Sequence, residues 1–327
     1  MLKTRDYLKE LKNQSFHKLI IGAALKDYKA IEDFSYYFTH AEADVLDISA
    51  FPHSVLCAKK GIEKALKEDS TLTEPLIMVS VNIGEDPHFR RIEINWDNCT
   101  ECLACVPTCP SNAFTDDFSY NPDLCFGCSA CLPSCSFDAF SFENWSAFEP
   151  TSLIELQGLG ARAIEIHLNN DLEAFKTFYS SMPEFELESF CIGSERMTEK
   201  ELKEATQVII ETVSPKKDSF IIQVDGIPLS GAREMGIEKD LVSIRNAKIV
   251  KEYAQENHPN LKIFIQLAGG ITETSLTKAK EQGLETNGVA IGSYARKLLQ
   301  ESDEPVKAAK KLIAISKQYS GNKKQCR

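Results

Sequence analysis

The chain has 327 residues and a net charge of −11, with 43% hydrophobic and 26% charged side chains, a composition ordinary for a globular protein. This length fits one large α/β domain that carries an insert. No apolar run approaches the roughly 20 residues of a membrane helix, and the N-terminus lacks the apolar stretch of a secretory signal. Because the acidic charge also disfavours nucleic acid, we expect a cytoplasmic protein that neither spans a membrane nor binds nucleic acid.

The first 82 residues alternate short β-forming runs with helical patterns. Runs at 18–23, 45–49 and 76–82 predict strands, and the stretches 27–38 and 54–67 between them predict helices. Such alternation is typical of a parallel sheet that is covered by helices.

Two runs of cysteines follow the third predicted strand. They are Cys99-x2-Cys102-x2-Cys105-x3-Cys109-Pro110 and Cys125-x2-Cys128-x2-Cys131-x3-Cys135. Because disulfides are rare in the cytosol, clustered cysteines there indicate metal or redox chemistry. In bacterial ferredoxins with this spacing, three cysteines of a run bind one [4Fe–4S] cluster and the fourth binds the other cluster.

The spacing therefore predicts two [4Fe–4S] clusters with crossed ligand sets. Cluster 1 takes Cys99, Cys102, Cys105 and Cys135, and cluster 2 takes Cys125, Cys128, Cys131 and Cys109. Zinc is one alternative, but zinc sites usually show paired CxxC units with a longer gap between them. Clusters with a purely structural role are the other alternative.

The cysteines lie in a segment, residues 86–149, that we interpret as a bacterial-type 2[4Fe–4S] ferredoxin insert. Residues 85–150 contain eleven acidic residues, two arginines and no lysine, for a net charge of −9. This field attracts a basic docking patch on a redox partner protein. The alternative is that the acidic residues only keep a small domain in solution.

The rest of the chain continues the βα alternation. Strands are predicted at 163–168, 189–192, 220–225, 263–268 and 288–292, and helices at 199–212, 239–255 and 305–318. Eight βα units predict an α/β fold in which residues 1–85 and 150–327 form a (β/α)8 barrel-like domain; a doubly wound sheet is the alternative. Since the insert follows the third strand, a barrel places both clusters over the mouth where the active sites of such folds lie.

Polar side chains share one face of several predicted strands. The candidate pocket residues are Asp47, Asn82, Glu165, His167, Gln223, Asp225 and Gln266, with Ser49 and Ser80 on the same face. Since the opposite face is almost wholly Val, Ile and Leu, these groups should converge inside the barrel near its mouth. A self-satisfied internal hydrogen-bond network is the alternative interpretation, and His167 fits either.

Glycines end the last two predicted strands. Gly269 and Gly270 follow the seventh strand, and Gly292 and Ser293 follow the eighth. Backbone N–H groups at such turns bind phosphate in many barrels, so FMN or a phosphorylated ligand is a candidate occupant. Glycine is also simply the least strained residue for a turn.

Residues 84–90 lie where the insert begins. This stretch contains Glu85, Asp86, His88 and Arg90 around Pro87, and we interpret it as a hinge that fixes the insert; a proton-coupled or anion-binding role is the alternative. Cys191, on the fifth predicted strand, is expected to be an ordinary cysteine.

Several of these stretches resemble the light-dependent period protein family. They are HKLIIGA at 17–23, ADVLDI at 43–48 and VSVNIGEDPHFR at 79–90, which runs directly into the cysteine motifs. The similarity is clearest over the first half and rests on element order in the second. It implies redox-active clusters and a sensing or partner-binding role linked to the circadian clock of oxygenic phototrophs, with no settled reaction.

Two functions follow as hypotheses. The first is electron transfer or redox sensing through two [4Fe–4S] clusters. The second is an iron–sulfur flavin oxidoreductase with FMN or a phosphorylated ligand at the barrel mouth, so the sequence leaves open whether the protein is an enzyme. A third, weaker hypothesis is an enzyme whose barrel binds a small phosphorylated metabolite as a signal.

Overall fold

The fold is a barrel with an inserted ferredoxin-type module. The computed structural model describes residues 6–23, 25–84, 86–125, 127–144, 150–168, 171–194, 196–227 and 239–318. The strands are β1 (Phe16–Gly22), β2 (Val45–Ser49), β3 (Leu76–Asn82), β4 (Arg90–Ile94), β5 (Phe140–Asn144), β6 (Ala163–His167), β7 (Leu187–Ile192), β8 (Ser219–Val224), β9 (Lys262–Leu267) and β10 (Gly288–Ile291). The helices are α1 (Tyr7–Lys12), α2 (Tyr28–His40), α3 (Pro52–Glu68), α4 (Pro150–Leu159), α5 (Leu172–Ser181), α6 (Glu199–Val213), α7 (Lys239–Asn257), α8 (Ser275–Glu281), α9 (Ser293–Gln300) and α10 (Pro305–Gln318).

Eight parallel strands close into a barrel in the order β1-β10-β9-β8-β7-β6-β3-β2. Closure confirms the (β/α)8 prediction and excludes the doubly wound sheet, which has two open edges. Strands β2, β3 and β6 are buried along their whole length, so polar residues on them such as Asp47 and Glu165 are enclosed in the barrel.

Local sequence signals fix the surrounding helices. Asp27 and Asp171 accept hydrogen bonds from the first-turn backbone of α2 and α5, and Thr198 with Glu201 forms a reciprocal capping box at α6. Gly61 on α3 lies against the α2 backbone, where a larger residue does not fit. These caps and contacts set where each helix starts and how closely it packs.

Several elements differ from the prediction at the barrel's closed end, among them β1, which begins at Phe16 rather than at residue 18. Helix α1 precedes β1, and its buried Leu11 packs with Phe16 and Val45 in an apolar plug. Strand β7 begins two residues earlier than predicted, because Glu188 is buried and accepts a hydrogen bond from the Tyr179 hydroxyl. The charge of Glu188 interrupts the apolar pattern of β7, and six residues are too few for α1 to show a clear helical periodicity.

The cysteine module leaves the barrel after β3. Its base is the antiparallel pair β4–β5, which the sequence did not predict, with Ile92 opposite Phe142 in register. The module has its own core, in which Ile92 and Phe114 pack with Cys125 and Cys131. The insert limits 86–149 remain a prediction, since residues 145–149 lie outside the described part of the chain.

Candidate functional site

The first predicted set of cysteines lines one cavity in the module. Cys99, Cys102, Cys105 and Cys135 surround a space of about 50 Å³. The donors that a [4Fe–4S] cluster needs, four thiolates from two separate loops, are therefore present together. These residues fit such a cluster.

The second set gathers nearer the barrel. Burial raises the pKa of Cys131, which lies beside Cys128, Cys125 and Cys109, to about 12. Backbone N–H groups of Ile92 and Ala113 donate to the sulfurs of Cys125 and Cys109 at 3.4 and 3.3 Å. Four buried or half-buried thiols with N–H···S contacts also fit a [4Fe–4S] cluster, because its iron ions compensate the thiolate charge.

The barrel interior is stratified from apolar to polar. Its closed end holds the apolar plug, and the middle layer holds Lys18, which contacts Glu165 and lies 3.7 Å from Asp47. All three side chains are at most 2% exposed. Burial raises the pKa of Asp47 to about 6 despite Lys18, whereas the charges of Lys18 and His167 outweigh burial and lower the pKa of Glu165 to about 2.

The layer above, at the mouth, contains two histidines on either side of Asp86. His88 Nδ1 lies 2.9 Å from Asp86 Oδ1, and His167 Nδ1 lies 3.1 Å from Asp86 Oδ2. The other ring nitrogens face further carboxylates: His88 Nε2 is 3.6 Å from Asp225, and His167 Nε2 is 3.3 Å from Glu165. The 3₁₀ turn Pro87–Phe89 brings His88 from the insert to this position.

The charge of Asp86 changes the pKa values of both histidines in this layer. Burial disfavours the charged forms, but Asp86 outweighs it and raises the pKa of His88. The pKa of His167 is raised well above its usual value, against burial, by Asp86. Since burial raises the pKa of Cys191 itself to about 12, its thiol is neutral and Asp86 is the acting cause.

A single cavity of about 150 Å³ joins the barrel mouth to the cysteine module. From the barrel it is lined by His167 and Asp225, and from the insert by His88 and by Cys128 with its neighbours Gly127 and Ser129. The second cysteine set therefore borders the same space as the polar barrel residues. We expected both clusters over the mouth; the described lining of this cavity includes Cys128 of the second set and no cysteine of the first set.

The predicted glycine turns line another side of this cavity. Gly269, Gly270, Gly292 and Ser293 are all present there, together with Arg296 on α9. Arg296 donates to the Ile20 and Ile21 carbonyls and to Ser293 Oγ, and burial lowers its pKa to about 10. Gly269 has a φ of +70°, and a side chain there would collide with Asp225, so the fold itself demands glycine.

The structure gathers most, but not all, of the candidate pocket residues. Asp47, Glu165, His167, Gln223 and Asp225 line the cavity. The described lining omits the other two: Asn82 donates to the Gly84 carbonyl, and Gln266 donates to the Val289 carbonyl.

Sequence reasoning missed four members of the site. Lys18 is a charged residue on a buried strand, Asp86 and His88 were interpreted as a hinge, and Cys191 as an ordinary cysteine. Only the density of ionisable residues at 86–88 gave any signal for them. The hinge interpretation is compatible with the 3₁₀ turn, but both side chains also reach into the barrel.

Comparison with known proteins follows the same division of the chain. A model described as the light dependent period A C-terminal domain matches residues 155–322, and two 4Fe–4S binding-domain models match residues 92–115 and 122–138. The protein "Light dependent period A" of Synechococcus elongatus is 30% identical over 316 residues, or 91% of this chain and 85% of that protein. The chain belongs to the light dependent period A family. Its similarity to that family therefore extends through the second half, and the 4Fe–4S motifs make it an iron–sulfur protein.

The solved structures that match this chain have low sequence identity to it and low structural similarity. Tryptophan synthase subunit alpha from Legionella pneumophila has a TM-score of 0.44 at 11% identity, covering 97% of this chain and 98% of that one. A truncated 3-deoxy-D-arabino-heptulosonate 7-phosphate synthase from Thermotoga maritima has a TM-score of 0.46 at 9% identity, covering 93% and 85%. No conclusion about function follows from similarity at this level.

No helix in the described parts of the chain combines the length and the apolar character needed to traverse a lipid bilayer.

Proposed function

We propose that this chain is an electron-transfer or redox-sensing protein with two [4Fe–4S] clusters in crossed cysteine sets. When bound, each cluster supplies a centre that takes up or releases one electron. The observation that carries the proposal is the grouping of Cys99, Cys102 and Cys105 with Cys135, from the second run, around one cavity.

Arg90 places a positive charge beside the second cysteine set. Arg90 donates to Ser129 Oγ at 3.1 Å, within the loop that carries Cys128, and its guanidinium lies 3.8 Å above the Phe142 ring. A fixed positive charge beside a cluster favours the reduced, more negative state. Arg90→Gln should therefore lower the potential of one cluster only, and Arg91→Gln, on the adjacent residue paired with Glu143, is the control.

The ligand sets are tested by single serine substitutions. In anaerobically purified protein, Cys135→Ser should disturb the same cluster as Cys102→Ser, and Cys109→Ser the same cluster as Cys128→Ser, as judged by electron paramagnetic resonance of the reduced protein. Cys57→Ser, which alters a half-buried helical thiol outside both sets, is the matched control. If Cys135→Ser instead matches Cys128→Ser, the crossed assignment is wrong.

As part of the same proposal, we infer that this chain shares the light-dependent timing role to which the name of its Synechococcus elongatus relative refers. The relative's name refers to a light-dependent period, and its match spans the module and the barrel. In an organism with such a clock, the chain would report cellular redox state as a timing input. Replacing Cys102 and Cys128 together should then change the light dependence of the period while protein abundance stays the same.

A redox partner is proposed to dock beside cluster 1. Three exposed aromatic side chains, Trp96, Phe118 and Phe137, line the cavity of its ligand set. The surrounding module is strongly acidic, so we propose a partner with a basic patch. Trp96→Ala should slow electron transfer to cytochrome c, used as a basic probe, whereas Ile154→Ala, an exposed apolar residue on α4, should not.

A second candidate function is an oxidoreductase with a ligand at the barrel mouth. It is favoured by the cavity that Cys128 shares with His167 and with Arg296 beside the N-terminus of α9. A volume of about 150 Å³ suits a small phosphorylated ligand better than a whole FMN molecule, because pockets for larger ligands span roughly 300–1,000 Å³. Calorimetry with FMN and with glycerol phosphate as probes tests this candidate. If neither probe binds, the candidate function is contradicted.

A further inference from the structure

The two histidines at the barrel mouth have an unusual distribution of neighbouring charges. Both Nδ1 atoms converge on Asp86, and both Nε2 atoms face a second carboxylate, that of Asp225 or Glu165. Each imidazole is therefore flanked by carboxylate oxygens on both of its nitrogen atoms.

Neutral histidine cannot satisfy this arrangement. A neutral imidazole has one N–H, so one of its nitrogens directs a lone pair at a carboxylate oxygen. Protonating both rings satisfies every carboxylate but places two imidazolium ions with ring centroids 5.4 Å apart. A cation between the Nδ1 atoms and Asp86 removes both difficulties, since Nδ1 then donates its lone pair to the cation and Nε2–H donates to the outer carboxylate.

The ligand atoms are close enough for one ion. One donor atom each from Asp86, His88 and His167 can be chosen so that all three lie within 4.8 Å of one another. Ligands bound at about 2.0–2.2 Å in tetrahedral or octahedral geometry are separated by roughly 3–4 Å. Small side-chain shifts therefore suffice to close the site around a metal.

We propose that Asp86, His88 and His167 bind one divalent transition-metal ion at the barrel mouth, separate from the iron–sulfur clusters. Two imidazoles and one carboxylate form a nitrogen and oxygen donor set that suits Fe²⁺, Zn²⁺ or Mn²⁺. This site does not depend on the redox role proposed for the clusters.

The outer carboxylates form the expected second layer of such a site. Histidine ligands usually donate their other N–H to a carboxylate, which fixes the ring and makes the ligand nitrogen more basic. Glu165 performs this role for His167 at 3.3 Å, and Asp225 performs it for His88 at 3.6 Å. Glu165 is in turn held by Ser189, at 2.9 Å, and by Gln223, at 2.7 Å.

The ion has room for further ligands on the side that faces the cavity. His88 and His167 both line the space that also contains Cys128. Gln223 Oε1, in a side chain that is 1% exposed, has no hydrogen-bond partner among the described residues and lines the same cavity. A metal-bound water or a small anionic ligand at this position would lie between the barrel and the second cysteine set.

The test measures zinc uptake by the intact, cluster-containing protein under anaerobic conditions. Zn²⁺ is titrated by calorimetry, and zinc and iron are then counted by elemental analysis. We expect the wild-type protein to hold one metal ion more than His88→Ala after the titration, counted as zinc plus iron, with the same acid-labile sulfide content in both. His53→Ala, which removes an exposed histidine from α3, is the matched control and should retain that zinc ion.

Two further variants keep the test independent of folding defects. Asp86→Asn should lose the same ion, and Asp225→Asn should bind it about 10–100-fold more weakly, the usual effect of removing an outer carboxylate. His88 is 35% exposed, so its removal leaves the core intact. Equal totals of zinc plus iron in wild type and His88→Ala would overturn the proposal in favour of two protonated histidines.

Discussion

Replacement of Lys18 by methionine tests how the barrel interior is held together. Lys18 is fully buried, contacts Glu165 and lies 3.7 Å from Asp47, so one ammonium group serves two buried carboxylates. Methionine has a similar length and fills the same space without the charge. Lys18→Met therefore isolates the electrostatic contribution.

The expected loss is large because both carboxylates stay buried. Glu165 is 1% exposed and Asp47 is 2% exposed, so water cannot solvate them after the substitution. Removal of one partner of a buried ion pair costs about 3–5 kcal/mol. For a protein of this size that loss corresponds to a fall of roughly 6–15 °C in the thermal midpoint.

The assay is anaerobic thermal unfolding followed by circular dichroism at one heating rate. Lys29→Met is the control, because Lys29 is 74% exposed and its ion pair with Asp33 contributes about 0.5 kcal/mol or less. The double variant Lys18→Met/Glu165→Gln should recover part of the lost stability, since it removes one stranded charge. A Lys18→Met midpoint within 2 °C of Lys29→Met would refute this reasoning.

Three further predictions concern packing and titration. Gly61→Ala should destabilise the protein by about 1–3 kcal/mol, because its new methyl group meets the Glu32 carbonyl, whereas Gly158→Ala, with open space around it, should stabilise α4 by about 0.5–1 kcal/mol; urea midpoints compare them. Tyr179→Phe should cost about 1–3 kcal/mol through loss of its 2.8 Å hydrogen bond to Glu188, and an unchanged urea midpoint would contradict this. Burial raises the pKa of Glu188, so its stabilising effect is complete at low pH and is lost as pH rises through the folded-state pKa. The stability of wild type relative to Glu188→Gln should therefore fall from pH 5 to pH 8, and a rise would contradict the burial argument.

The cysteine module and the barrel could be predicted because their signals are local. Fixed spacing within each run identifies the loops around Cys99–Cys109 and Cys125–Cys135, and alternating periodicity identifies the eight barrel strands. The crossed ligand sets depend on how the two loops fold together. Assigning Cys135 to the set of Cys99 was therefore an inference from known ferredoxins rather than from periodicity, and the structure places both residues around one cavity.

The remainder of the site could not be predicted because it depends on long-range contacts. Lys18 is accommodated in a buried strand because two carboxylates lie near it, that of Asp47 and that of Glu165, which is 147 positions later. His88 enters the barrel from the insert and approaches Asp225, which belongs to a different βα unit. At Gly269, sequence alone cannot separate a phosphate-binding turn from the steric demand of Asp225.

The central claim, two [4Fe–4S] clusters on one module, is tested most directly by counting iron and acid-labile sulfide in freshly purified anaerobic protein, with electron paramagnetic resonance after reduction. The two cysteine sets predict about eight iron and about eight sulfide per chain in their clusters, and two cluster signals in the reduced state. About four iron with one signal, or zinc in place of iron with no sulfide, would contradict the claim.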